Sequence, residues 1–156
     1  MKAKSKTLVF SIAVPLIVGG ASALLTGGKM KEFENLNQPL LSPPSWLFPI
    51  VWTILFILMG ISSWRVLESD NDPEKINSAL RIYSIQLVVN FFWPIFFFQF
   101  GWYLFSFFWI LLLWVLILIT NIRFYKLDQK AGWLMLPYLL WVTFASYLNL
   151  MVAILN

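Results

Sequence analysis

The sequence predicts an all-α integral membrane protein: a five-transmembrane-helix bundle with a partly structured first loop acting as a lid. Three observations predict it. Of the 156 residues, 60% are hydrophobic and the mean hydropathy is +0.79, whereas soluble domains hold roughly half apolar residues. The excess lies in runs of about 20 residues with few or no charges, the length that crosses a hydrocarbon core of roughly 30 Å. The basic residues crowd onto alternate connections between those runs. Backbone groups in lipid must be satisfied internally, so the runs are helices or barrel strands. They do not alternate apolar and polar residues as barrel strands do, which leaves helices.

Span one covers residues 8–26 and follows Lys2, Lys4 and Lys6. The same layout suits a signal peptide, with Ala21-Ser22-Ala23 as cleavage site, but a retained span is the preferred reading. A polar stretch over 27–49 follows, carrying Pro39, Pro43, Pro44 and Pro49, which block regular helix. Phe33, Leu36, Leu40, Leu41, Trp46 and Phe48 make it too apolar for a disordered linker, so it reads as a lid that packs down on the bundle. Span two covers 46–67. In Asp70-Asn71-Asp72-Pro73-Glu74, Asp72 suits an N-cap and Pro73 the first helical position. Span three covers 76–98, and Phe100-Gly101 makes a short turn. Span four covers 102–124, a polar turn covers 127–130, and span five covers 131–155. The chain reads as a single five-helix transmembrane domain over 1–156, without internal repeats.

Charge gives the expected orientation. With five spans, one side carries Lys2, Lys4, Lys6, Arg65, Lys75, Arg81, Arg123, Lys126 and Lys130, and the other only Lys29 and Lys31. Positive residues favour the cytoplasm. The chain is therefore expected in the cell membrane with its N-terminus cytoplasmic and its first loop and C-terminus outside. Four or six spans would divide the basic residues less cleanly.

The residue inventory excludes several chemistries. Cysteine and histidine are absent, so there is no disulfide, thiol nucleophile, imidazole base or ordinary zinc site. Glu32, Glu34, Glu68, Asp70, Asp72, Glu74 and Asp128 all fall in loops or at span ends, so no intramembrane carboxylate serves a proton relay. No basic cluster has nucleic-acid spacing, so nucleic acid is not an expected partner. The expected partners are the lipid bilayer and a hydrophobic planar small molecule.

What remains inside the membrane is aromatic and amide. Tyr83, Gln86, Asn90 and Trp93 lie along one stripe of span three. Tyr138, Trp141, Ala145 and Asn149 form a second stripe on span five. Polar groups in a bilayer face the bundle interior, where they either join helices or orient a guest. Two such stripes under an aromatic lid suit a π-rich, mostly apolar pocket. Trp102 fits an interfacial belt, whereas Trp52, Trp93, Trp114 and Trp141 lie five or more residues inside their spans.

Three motifs now carry a resemblance. The first is Pro39-Leu40-Leu41-Ser42-Pro43-Pro44-Ser45-Trp46, continuing to Pro49, Trp52, Met59 and Gly60. The second is Tyr83-x-x-Gln86-Leu87-x-x-Asn90-x-x-Trp93-Pro94, followed by Phe96, Phe97 and Phe98. The third is Pro137-Tyr138-Leu139-x-Trp141-x-x-Phe144-Ala145-x-x-Leu148-Asn149. In this order and spacing the chain resembles the translocator protein family, also called tryptophan-rich sensory proteins or peripheral benzodiazepine receptors. The resemblance implies a homodimeric five-helix bundle with a pocket opening toward the first loop. It implies porphyrins such as protoporphyrin IX, haem, and isoquinoline or benzodiazepine drugs as ligands, with no cofactor required. It assigns pocket-lining roles to Pro43, Pro44, Trp52, Asn90, Trp93, Trp141 and Ala145. Phe33 and Phe56 stand where the family often has tyrosine. Leu41 replaces a frequent tryptophan, and the animal sterol motif has no counterpart after Asn149.

Three functions follow from the resemblance. The chain is first a membrane receptor or sensor that binds porphyrins and such drugs. A second reading is a light- and oxygen-dependent porphyrin-degrading enzyme, with Trp52 and Trp141 as catalytic residues passing an electron to an excited macrocycle. The third is a transporter of tetrapyrroles or other hydrophobic small molecules. A haem here would lack a His or Cys axial ligand, so a metal-free or weakly ligated tetrapyrrole is favoured.

Overall fold

The computed structural model describes residues 3–27 and 29–156, with backbone alone at 3 and 30–32. Lys2 and the side chains of Lys31 and Glu32, invoked above, lie outside the described residues. The helices are α1 (Ala3–Leu25), α2 (Lys29–Glu34), α3 (Leu47–Leu67), α4 (Pro73–Pro94), α5 (Tyr103–Leu127) and α6 (Gln129–Leu155). All except α2 belong to segments long and apolar enough to cross a bilayer. The chain is an all-α, multi-pass membrane protein. Helix α1 begins before the apolar run and α5 outlasts it. Lysine stems can lie along a helix while their charges reach the interface.

The five long helices close into a ring in the order α1, α3, α6, α5, α4 and back to α1. Helices this apolar gain little hydrophobic energy by leaving lipid, so close packing and hydrogen bonds must join them. Gly60 supplies the close packing. A Cβ there would lie 2.4 Å from Ile12 Cα and 2.7 Å from Ser11 O, so α1 and α3 meet backbone to backbone. Ser62 Oγ donates to Ala131 O at 2.7 Å, joining α3 to α6. Trp114 Nε1 donates to Thr143 Oγ1 at 2.8 Å, which gives a tryptophan deep in α5 a polar partner on α6. At the end of the bundle away from the lid, Arg65 pairs with Asp128 at 3.1 Å.

Helix α4 starts as its sequence dictates: Asp72 Oδ1 accepts from Glu74 N at 3.1 Å, with Pro73 in the first turn. Its far end departs from a plain helix. Pro94 has no N–H to offer, and the chain passes into a π-helical turn over Ile95–Gln99. This wider turn buries Phe97 against the bundle core with Phe98 beside it. It leaves Phe96 among the outer rings of Trp102, Phe105 and Trp109. Gly101, at φ +67°, then takes the left-handed conformation that reverses the chain into α5.

The first loop closes one end of the ring. Phe33 on α2 is only 6% exposed. Its ring sits 6.1 Å from Phe48, 5.8 Å from Phe97 and 5.7 Å from Phe98. Gln38 Nε2 donates to Phe33 O at 2.6 Å, and Ser45 donates to Glu34. Asn37 N donates to Asn156 Oδ1 at 3.1 Å and Asn156 Nδ2 donates to Asn37 O at 3.2 Å, tying the loop to the end of α6. Tyr147 adds a hydrogen bond to Leu40 O at 2.8 Å. Phe33, Leu36 and Phe48 pack down on the bundle, whereas Leu40, Leu41 and Trp46 stay largely exposed. An aromatic side chain at a membrane–water interface rests well without protein contact.

Candidate functional site

A cavity of about 160 Å³ lies inside the ring, directly under Phe33. Helix α1 lines it with Gly19, Ser22, Ala23 and Thr26. The approach to α3 and its first turns supply Phe48, Pro49, Trp52 and Phe56. Asn90, Trp93, Pro94, Phe97 and Phe98 come from α4 and its π turn, and Trp141, Ala145, Leu148 and Asn149 from α6. No charged side chain is among the lining residues described. The volume is below the roughly 300–1,000 Å³ of sites that enclose a drug-sized ligand.

The structure brings together Phe33, Trp52, Phe56, Asn90, Trp93, Trp141, Ala145 and Asn149 from the expected site residues. Gln86 and Tyr138 are wholly buried in the core and do not line the cavity. Tyr83 packs on Phe124 with ring centroids 5.5 Å apart, also away from it. Pro43, Pro44 and Trp46 line a separate groove within the lid. The α1 wall went unread in the sequence. Its signal was there in Gly19, Ser22, Ala23 and Thr26, small residues at i, i+3, i+4 and i+7 on one helix face, a pattern that marks close approach in membranes.

The amides serve both roles weighed for them. Asn90 Nδ2 donates to the Tyr138 hydroxyl at 2.7 Å, and that hydroxyl donates to Gln86 Oε1 at 2.7 Å. Trp93 Nε1 donates to Asn149 Oδ1 at 2.9 Å, while Asn149 Nδ2 donates to Tyr103 O at 2.7 Å. These bonds lock α4 to α6 and hold the ring of Trp93 at the cavity. Gln86 only joins helices, whereas Asn90 and Asn149 join helices and also line the cavity. Tyr138→Phe should therefore cost about 1–2 kcal/mol, because two buried amides lose a partner with little chance of replacement. Thermal unfolding in detergent measures it, and a loss under about 0.5 kcal/mol would make the hydroxyl incidental.

The aromatic walls are ordered by contact. Trp52 stacks on Phe56 at 5.5 Å and meets the edge of Tyr138 at 6.1 Å. Trp93 stacks on Phe97 at 5.1 Å, and Trp141 meets Phe48 at 5.9 Å. The Trp141 indole N–H is buried without a hydrogen-bond partner among the described residues. A donor left unpaired in an apolar wall is costly.

Fold and site together define a membrane protein of five spanning helices around a small aromatic cavity capped by its first loop. Comparison with known proteins narrows that class. The profile of the TspO/MBR family matches residues 11–155. The tryptophan-rich protein TspO of Chlorobaculum tepidum is 38% identical over 96% of this chain and 96% of its own. The tryptophan-rich sensory protein of Cereibacter sphaeroides is 34% identical over 80% of this chain and 78% of its own. The human translocator protein is 32% identical over 90% and 83%. The chain belongs to the TspO/MBR family.

Proposed function

We propose that the chain is a membrane receptor and sensor that binds porphyrins, and planar isoquinoline- or benzodiazepine-type molecules, in the cavity beneath its lid. The observation that carries the reading is the wall itself. Three indoles, of Trp52, Trp93 and Trp141, and five phenyl rings, of Phe33, Phe48, Phe56, Phe97 and Phe98, surround one space that no charged side chain lines among the described residues. A flat, π-rich guest gains stacking and edge contacts there that a flexible aliphatic one does not. Relatives named as a sensory protein and as a translocator protein agree with a membrane sensor or receptor.

The same reading sets the N-terminus in the cytoplasm and the lid outside. Lys4, Lys6, Arg65, Lys75, Arg81, Arg123, Lys126 and Lys130 gather at the end away from the lid, which supports it. The assembly is read as a homodimer. Titrating detergent-purified protein with protoporphyrin in darkness should shift the porphyrin absorption band and quench tryptophan fluorescence to saturation. An unshifted band with unquenched fluorescence would remove the reading.

A second reading is favoured by Trp52 and Trp141 sharing that wall. An indole there can give one electron to a photoexcited porphyrin, which passes it on to dioxygen, leaving a tryptophan radical to continue the oxidation. Under illumination the protein should speed loss of the porphyrin band over empty micelles. Trp52→Phe with Trp141→Phe should then slow that loss about tenfold or more. Decay unchanged by the double substitution would leave the indoles no part in it.

A further inference from the structure

We propose that the cavity opens sideways between α1 and α3. It holds a planar amphiphile by one apolar edge, while the carboxylates stay outside at the bilayer interface. The inference rests on the porphyrin-binding reading above and specifies how that site is filled.

The lid face is closed. Phe33 plugs it with three ring contacts, and the Asn37–Asn156 hydrogen bonds hold the loop against α6. The side between α1 and α3 is different. These antiparallel helices touch at Gly60 and Ile12, and further along the backbone of Gly19 meets the ring of Phe56. The same register carried one more turn sets Ala23 opposite the first turns of α3. Ala23 and Pro49 are both exposed, and both line the cavity. A residue that faces cavity and exterior at once marks a rim. Beyond the Phe56 ring, the small side chains of Ala23 and Pro49 stand on that rim.

Size and charge then fix what enters. A cavity of about 160 Å³ admits an edge of a macrocycle and not the whole. Among the described residues none that lines the cavity carries a charge to meet a carboxylate, and an ionised carboxylate in an apolar wall is costly. A dicarboxylic porphyrin in the bilayer already lies with its acids at the interface, which is where the lid end of α1 and α3 stands. It slides in along its apolar edge, and its acids need never leave water.

The test uses the protein in phosphatidylcholine nanodiscs with protoporphyrin as probe, read by tryptophan quenching in a stopped-flow instrument. The chain has no cysteine, so Asn37→Cys with Asn156→Cys provides a unique pair, which a short bismaleimide links to hold the lid shut. The linked protein should take up protoporphyrin within about twofold of the unlinked variant's rate, while Ala23→Trp should slow uptake about tenfold. Protoporphyrin dimethyl ester should bind within about threefold of the free acid, since the carboxylates contact nothing in the cavity. A tenfold fall on cross-linking overturns the proposal, and so does an Ala23→Trp variant that loads at the normal rate. Loss of binding by the ester overturns the placing of the acids. If the unaltered protein binds no porphyrin in any form, the receptor reading itself falls, and this proposal with it.

Discussion

Gly60→Val is expected to abolish the folded bundle. The added side chain would begin 2.4 Å from Ile12 Cα and 2.7 Å from Ser11 O. Both obstacles are backbone, so no rotamer change relieves the clash. Overpacking a core typically costs about 1–3 kcal/mol where neighbouring side chains can shift. Here α1 must move off α3 instead, and the cost should exceed that range. Gly20 is the internal control. A Cβ at Gly20 meets nothing within 4 Å, so Gly20→Val should change stability by no more than about 0.5 kcal/mol. Size-exclusion profiles and thermal unfolding in detergent measure both. A monodisperse, normally stable Gly60→Val protein would show that α1 and α3 do not meet at that glycine.

Phe33→Ala should release the lid. Helix α2 spans Lys29–Glu34, too short to persist without tertiary contacts. Its anchor is a ring buried against Phe48, Phe97 and Phe98. Truncating a buried phenylalanine costs about 3–5 kcal/mol, more than the few partly exposed hydrogen bonds of the loop can offset. Limited proteolysis should then cut within residues 34–46 while the spanning helices stay intact. Protoporphyrin should dissociate about tenfold faster, since one aromatic wall and the cap are lost together. Its association rate should hold, because the lid retains the ligand and does not admit it. A lid as resistant to protease as in the unaltered protein would show that Phe33 is not its anchor.

The two variants fall on features of different legibility. Phe33 could be read in the sequence as part of an apolar, proline-bearing loop in need of a surface. The loop did not behave as one piece, however. Phe33 goes inward while Trp46, at 65% exposure, faces out, and both are aromatic residues of the same connection. Composition alone does not separate them, because an interface accepts an exposed indole as readily as a buried one. Gly60 was visible only as a motif member, and nothing local said that α1 lay against it.

The same limit governs the site. The stripes through Asn90 and Trp93 and through Trp141 and Asn149 were legible, because a polar group on an apolar helix has one tolerable direction. Gln86 and Tyr138 lie on those stripes too, yet both are spent on each other and on Asn90. Helical spacing gives direction and not depth. The π turn at Ile95–Gln99 was not legible either, and it decides which of three consecutive phenylalanines reach the cavity.

By itself, then, the sequence determined the number of crossings, their helical form, the turns between them and the family, since each follows from run length, backbone satisfaction in lipid, or motif spacing. Only the tertiary structure decided that the ring runs α1, α3, α6, α5, α4, that small residues of α1 complete the cavity, and that Ala23 and Pro49 line it while staying exposed. The physical reason is the solvent. In water an apolar stripe announces the face a helix buries, but here lipid accepts apolar side chains on every face. The choice of neighbours passes to a glycine, a few hydrogen bonds and the shapes of facing rings, whose partners are set only when the helices meet.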